Sequence, residues 1–175
     1  HTSADFVTTR VGSPKAEAFA GLRDTSSMLA AAPGWTVAML SALEQAGLNA
    51  ECCVVLLPDR DSGRLMLTAI APSERRPSPG LISAAEAAMT QTQAVMRAPA
   101  SGQRLSAIAL PIVIDGQARG VLGVELLTQD QTKLRATLRQ MQWGGAWMRD
   151  LARNVVATEA RAQYARAVEA LNAIV

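Results

Sequence analysis

The residues best suited to chemistry in this sequence are two adjacent cysteines, Cys52 and Cys53. A cysteine reacts as its thiolate, which needs a neighbouring cation or a helix end to lower its pKa. The only histidine is His1, at the terminus, so the interior sequence offers no histidine base for a cysteine or serine nucleophile. We therefore predict two buried structural thiols and a protein that is not an enzyme.

Metal binding is not predicted from the sequence either. Without an interior histidine, a metal ion would need cysteines and carboxylates alone, and their spacing does not match a zinc site. Asp59 and Asp61 alternate within a turn, as in some calcium loops, but the remaining ligands of such a loop do not follow. We interpret this segment as a solvated turn.

Charged and polar side chains give a second set of candidates, for holding a ligand. Glu125 lies in the apolar run VLGVELL, and a buried carboxylate must find a partner. Arg97 or Arg104 is the predicted partner, and the alternative is that Glu125 faces solvent near the end of its strand. Thr92 belongs to a polar stretch of a predicted helix. The candidate ligand contacts are Arg97, Arg104, Glu125 and Thr92, with ordinary solvated side chains as the alternative.

Two tryptophans four residues apart, Trp143 and Trp147, share one face of a predicted helix. Exposed tryptophans are costly, so they should pack either on their own domain or on a second copy of the chain. Gly144 and Gly145 between them either divide the helix or let another helix approach closely. The candidate residues of a homodimer interface are Trp143, Trp147, Tyr164, Val168 and Leu171.

Composition excludes several classes of protein. The net charge is +2, aromatic residues make up 3% and no basic cluster exceeds Arg75-Arg76, which argues against a nucleic-acid-binding protein. No apolar run is long enough to span a bilayer. Adjacent strand residues point to opposite faces, so Cys52 and Cys53 should not form a disulfide, and reduced thiols indicate the cytoplasm.

The predicted order of elements is α-α-β-β-α-β-β-α. Ser13-Pro14 starts a helix that Pro33-Gly34 interrupts, and Gly47 ends the second helix. Two strands with apolar residues on both faces predict a sheet that is covered on both sides. The remaining predicted segments are strands over residues 50–57 and 64–71, a helix from Ser78-Pro79 through Met96, a hairpin over residues 104–127, and a long helix from Gln131 to Ile174.

The hairpin carries a family resemblance. Asp115-Gly116 is suited to a tight turn, and Pro111, which cannot donate to a ladder, places its strand at an edge or a bulge. Together with Leu110-Pro111 and the run Gly120–Val124, this segment resembles the closing hairpin of the GAF family. The resemblance implies an α+β fold: a central antiparallel sheet, N- and C-terminal helices on one face and a pocket-forming segment on the other. It also divides the chain into an N-terminal segment and helix (1–32), a GAF-like domain (33–150) and a C-terminal connecting helix (151–175).

The resemblance further implies a regulatory module that senses a small molecule, forms a homodimer, or both, within a larger signalling or transport protein. An output domain is then expected beyond Val175, and a weaker resemblance around residues 143–147 is to membrane-linked secretion adaptors. The cofactor is unidentified: the cyclic-nucleotide signature of the family is missing, and residues 73–104 contain no cysteine for a bilin. The alternatives are a ligand-free structural module and a free methionine sulfoxide reductase, whose reactive cysteines lie near the pocket.

Overall fold

The computed structural model describes the backbone of residues 14–174, with side-chain burial from residue 27 onward except at five positions between 151 and 159. Residues 1–13 of the predicted N-terminal segment, and Val175, lie outside this range. The elements are helix α1 (Pro14–Gln45), strands β1 (Ala50–Pro58) and β2 (Leu65–Ala71), helix α2 (Pro79–Gln91), strands β3 (Val95–Arg97), β4 (Ser106–Ile114) and β5 (Gln117–Leu126), and helix α3 (Gln131–Ile174).

The strands form one antiparallel sheet in the order β2–β1–β5–β4–β3. β1 lies inside the sheet and is buried on both faces, as its apolar sequence predicts. β2 forms an edge, where Met66 and Leu67 are 56% and 42% exposed. The prediction of two fully covered faces is therefore wrong for β2, because the layers on the sheet end near its edge.

Each face of the sheet carries its own apolar core. α1 and α3 pack on one face, where Leu43, Met141 and Leu122 are fully buried. α2 packs on the other face, where Leu81 meets the alternate β1 residues such as Val54. The predicted α+β architecture is confirmed, with the N- and C-terminal helices on one face and the helix of segment 73–104 on the other.

The predicted interruption of the first helix at Pro33-Gly34 is wrong. α1 is one helix with Pro33 inside it. Pro33 lies on the exposed side, whereas Ala32 before it and Trp35 after it are buried. Packing against the core on both sides of the proline outweighs the loss of one backbone N–H.

The end of α1 follows the sequence signal at Gly47. This residue has a φ of +74°, which favours glycine. Its N–H donates to the carbonyl of Glu44, and the N–H of Leu48 donates to the carbonyl of Leu43. This pair of bonds is a Schellman motif, and it satisfies two carbonyls that the helix leaves free.

Gly34 allows a test of the continuity of α1. A Cβ built on Gly34 has no described atom within 4 Å. Alanine has a higher helix propensity than glycine, so we expect Gly34→Ala to raise the free energy of unfolding by about 0.5–1 kcal/mol. Urea unfolding measures this change. A loss of stability would instead indicate that the helix needs the flexibility of glycine after Pro33.

α2 begins at the predicted signal but ends earlier than predicted. Ser78 caps it, and its hydroxyl accepts a hydrogen bond of 3.3 Å from the N–H of Leu81. Thr92, expected inside the helix, has a left-handed backbone with a φ of +55° and terminates it. Met96 then lies in β3, a strand that the sequence does not predict because three residues are too few to show a periodicity.

The hairpin of β4 and β5 is confirmed. Asp115 and Gly116 both have positive φ, as the two central residues of a type I′ turn require. β3 pairs with β4 only up to Ala109, so β4 is unpaired on that side at Pro111, and the register shifts just after Ile112. This geometry accommodates a proline in the strand, as predicted.

α3 is one continuous helix of 44 residues. The sequence predicts that Gly144 and Gly145 either divide this helix or let another helix approach closely. The helix is not divided, and another helix does approach closely at Gly144. A Cβ on Gly144 would lie 2.5 Å from Met39 Cε and 2.7 Å from Trp35 Nε1, so α1 crosses α3 at this glycine. Across the described residues, none of the helices has an apolar stretch sufficient to span a bilayer.

Candidate functional site

Glu125 is buried in the structure, with 1% of its surface exposed. Its Oε1 accepts a hydrogen bond of 3.1 Å from the thiol of Cys52 and one of 3.2 Å from the backbone N–H of Ser78. Its Oε2 is buried without a hydrogen-bond partner among the described residues. Both predictions for this residue are therefore wrong: it neither pairs with Arg97 or Arg104 nor faces solvent.

The position of Glu125 explains why a carboxylate is tolerated there. The N-terminus of a helix carries a partial positive charge, which favours a neighbouring carboxylate. α2 has no acidic residue in its own first turn, and β5 supplies Glu125 at the capping residue Ser78 instead. The carboxylate thus joins the start of α2 to β5 and, through Cys52, to β1.

The two cysteines lie on opposite faces of β1, as predicted. Cys52 belongs to the core under α2 and Cys53 to the core under α1 and α3, and both are buried and unbridged. Burial raises the pKa of Cys53 from 9.0 to about 12. Burial, and secondarily the hydrogen bond to Glu125, raises the pKa of Cys52 further still. Both sulfurs are therefore thiols at neutral pH, the opposite of what a nucleophile needs.

We expect the native protein to react slowly with a thiol reagent at about pH 8, because the reactive thiolate is scarce and buried. In urea both cysteines should react rapidly. Because the folded pKa of Cys53 is raised, its contribution to stability is present below pH 9.0 and is lost as the pH rises toward about 12. Labelling rates and urea unfolding at several pH values measure both effects. Rapid labelling of the native protein would contradict the expectation.

An open cleft of about 540 Å³ lies at the start of α2. Arg75 forms an ion pair with Glu51 there, and both side chains are partly exposed. Arg104 lines the same cleft and has no ion pair among the described residues. Ser78 also lines it, so Glu125 lies directly behind the wall of the cleft. The full lining is Glu51, Arg75, Ser78, Gly102, Gln103, Arg104, Leu105 and Leu127.

The other two candidate ligand contacts lie elsewhere. Arg97 lines a separate cleft of about 350 Å³ beside β3. Thr92 is exposed at the C-terminal end of α2, about 20 Å of helix away from Ser78. The structure therefore brings Arg104 close to the Ser78–Glu125 pair and leaves Arg97 and Thr92 apart from them. No group of three or more metal-ligating side chains occurs in the described part of the chain.

The five candidate interface residues all lie on α3 and are all exposed in the single chain. Trp143 is 80% exposed and Trp147 is 52% exposed. One of the two predicted alternatives is that both tryptophans pack on their own domain. Their exposure in the single chain contradicts that alternative. Tyr164, Val168 and Leu171 are exposed further along the same helix.

Comparisons with known proteins concern the fold. No protein-family model and no curated protein matches the sequence. The GAF domain of an Acinetobacter phosphoenolpyruvate-protein phosphotransferase is similar with a TM-score of 0.56 and 16% identity, over 79% of this chain and 90% of that one. The blue-light-absorbing form of the PixJ GAF domain from Thermosynechococcus elongatus is similar with a TM-score of 0.52 and 14% identity, over 82% and 96%. The sheet order, the two-sided packing and these structural neighbours together give the chain the α+β fold of GAF domains.

Proposed function

We propose that this GAF-like domain is a non-enzymatic regulatory module that acts as a homodimer within a larger signalling or transport protein. The observation that carries the proposal is the exposure of Trp143 and Trp147 on the outer face of α3. Monomeric soluble proteins rarely expose large contiguous apolar patches, and such patches commonly mark interaction sites. The unreactive environment of Cys52 and Cys53 supports a role without catalysis.

The chemistry of the exposed face favours a second copy of the chain as its partner. Tryptophan is enriched at protein interfaces because it buries about 150–250 Å² of surface. The exposed parts of the two tryptophans supply about a quarter to two-fifths of the ~800 Å² per partner that a stable interface buries. A two-fold arrangement uses the same patch on both copies, so it needs no other protein.

The distal half of α3 extends the same argument. Tyr164, Val168 and Leu171 follow one another at intervals of four and three residues and are exposed. This spacing keeps the three side chains along one seam when two helices lie side by side. A parallel pair of α3 helices would then transmit a change in the domain along the helix axis. We also propose that the protein lies in the cytoplasm, which is the compartment predicted from its reduced cysteines.

The solution mass of the protein tests the proposal. Light scattering at micromolar concentration should give about twice the chain mass of 18.5 kDa. Dilution should shift the mass toward that of the monomer, which gives the dissociation constant. A monomer at every concentration would overturn the proposal.

The second candidate function, sensing of a small molecule, depends on a different surface. The cleft at the start of α2 favours it, because that cleft places charged and apolar side chains around an open volume. A ligand-free structural dimer is the alternative to sensing. The occupancy of this cleft separates the two.

A further inference from the structure

We propose that the cleft at the start of α2 binds a small organic carboxylate with an apolar body. The site consists of Arg104 and Arg75, which meet the carboxylate, and of Leu105 and Leu127, which meet the apolar part. The proposal rests on the small-molecule sensing proposed above and not on the dimer, because none of these residues belongs to the exposed tryptophan face of α3.

The charge of the cleft favours an anion. Its lining contains two guanidinium groups and one carboxylate, that of Glu51. Glu125 behind Ser78 offsets the positive end of α2, so selectivity for an anion rests on the two arginines. Arg104 is exposed and has no ion pair among the described residues, so its planar donors are available to a carboxylate.

Glu51 shows how a carboxylate occupies this site. Its Oε2 pairs with a terminal nitrogen of Arg75 inside the cleft. Both side chains are partly exposed, and ion pairs in such positions contribute little to stability. A ligand carboxylate can therefore replace Glu51 on Arg75, and Arg104 in the same lining is a second donor for it. Glu51 is thus an internal competitor of the ligand for Arg75.

The apolar part of the cleft restricts the ligand to an organic acid. Leu127 is 50% exposed although it follows directly after the buried end of β5. Leu105, just before β4, is half-buried beside it in the same lining. An exposed leucine next to unpaired donors gains burial when a ligand carries an apolar group. Inorganic phosphate carries negative charge but no apolar group, so it should bind more weakly than an organic carboxylate.

Binding is measured by NMR titration of the full chain with benzoate and with hexanoate at millimolar concentrations. Benzamide, a neutral analogue of benzoate, and inorganic phosphate are the comparison ligands. We expect both carboxylates to shift the amide signals of residues 102–105 and 127, with weaker binding of benzamide and of phosphate. The absence of shifts with both carboxylates, or equal binding of benzamide or of phosphate, would overturn the proposal.

Three variants separate the site from a general effect of charge. Arg104→Ala should weaken benzoate binding by about tenfold or more, because it removes a charge-assisted hydrogen bond. Arg97→Ala removes an exposed arginine from the other cleft and should leave the dissociation constant unchanged. Glu51→Gln should tighten binding several-fold, because it removes the internal competitor from Arg75. Equal weakening by both arginine variants, or weaker binding by Glu51→Gln, would contradict the assignment.

Discussion

Replacement of Gly123 by valine is expected to lower the free energy of unfolding by about 1–3 kcal/mol. Gly123 lies on β5 where α2 rests directly on the sheet. A Cβ at this position would lie 2.7 Å from Val54 Cγ2 and 2.9 Å from Leu81 Cδ1, closer than carbon atoms approach without displacement. Valine adds two further methyl groups, so the side chains of Val54 and Leu81, or α2 itself, must shift. Urea unfolding of the variant measures the loss.

A double-mutant cycle with Leu81 is the control for this mechanism. Leu81→Ala alone should cost about 2–5 kcal/mol, because the side chain is fully buried. In the combined variant, the alanine leaves room for the valine, so the total loss should be smaller than the sum of the two. Strict additivity would show that valine at position 123 destabilises the protein by another route.

Sequence signals that act over a few residues predicted the fold well. The Asp115-Gly116 turn, the Ser78-Pro79 start of α2 and the Gly47 end of α1 each combine a residue type with a backbone angle or a hydrogen bond that it favours. Such preferences are local, so they can be interpreted without knowing what packs against the segment.

The errors arise where tertiary packing opposes a local preference. Pro33 favours an interruption, but the buried residues on either side of it keep α1 continuous. Thr92 adopts a left-handed backbone although a β-branched residue disfavours it, and the predicted helix therefore ends too late. β3 exists because β4 offers it a partner, and its own three residues carry no signal.

The same distinction applies to the candidate site. The apolar sequence of the strand predicts that Cys52 and Cys53 are buried, and the alternation of side chains along a strand predicts that they point to opposite faces. The structure confirms both predictions. The partners of Glu125 are separated from it by 73 residues at Cys52 and by 47 at Ser78. No local pattern joins these positions. The apolar neighbours of Glu125 in β5 leave burial and solvent exposure as alternatives. Only the assembled sheet shows that Glu125 is buried and what it binds.

The homodimer is expected to dissociate when Trp143 and Trp147 are both replaced by glutamate. Removing one buried tryptophan from the centre of an interface commonly costs about 2 kcal/mol or more. Two such losses, with two carboxylates placed in an apolar contact on each copy, should weaken the dimer by about a thousandfold or more. Both tryptophans are exposed in the single chain, so the fold should persist. Light scattering at micromolar concentration should then give the monomer mass, and circular dichroism should show unchanged helix content.

Gln142→Glu provides the matched control for this loss. Gln142 is an exposed residue of α3 next to Trp143, so the substitution adds one negative charge to the same helix, against two in the tryptophan variant, without removing an aromatic ring. The control should keep the dissociation constant of the wild-type dimer within a few-fold. Equal dissociation of Gln142→Glu would mean that charge repulsion between helices is responsible. A tryptophan variant that remains a dimer would place the interface elsewhere on the domain, and the exposed face of α3 would then require another partner.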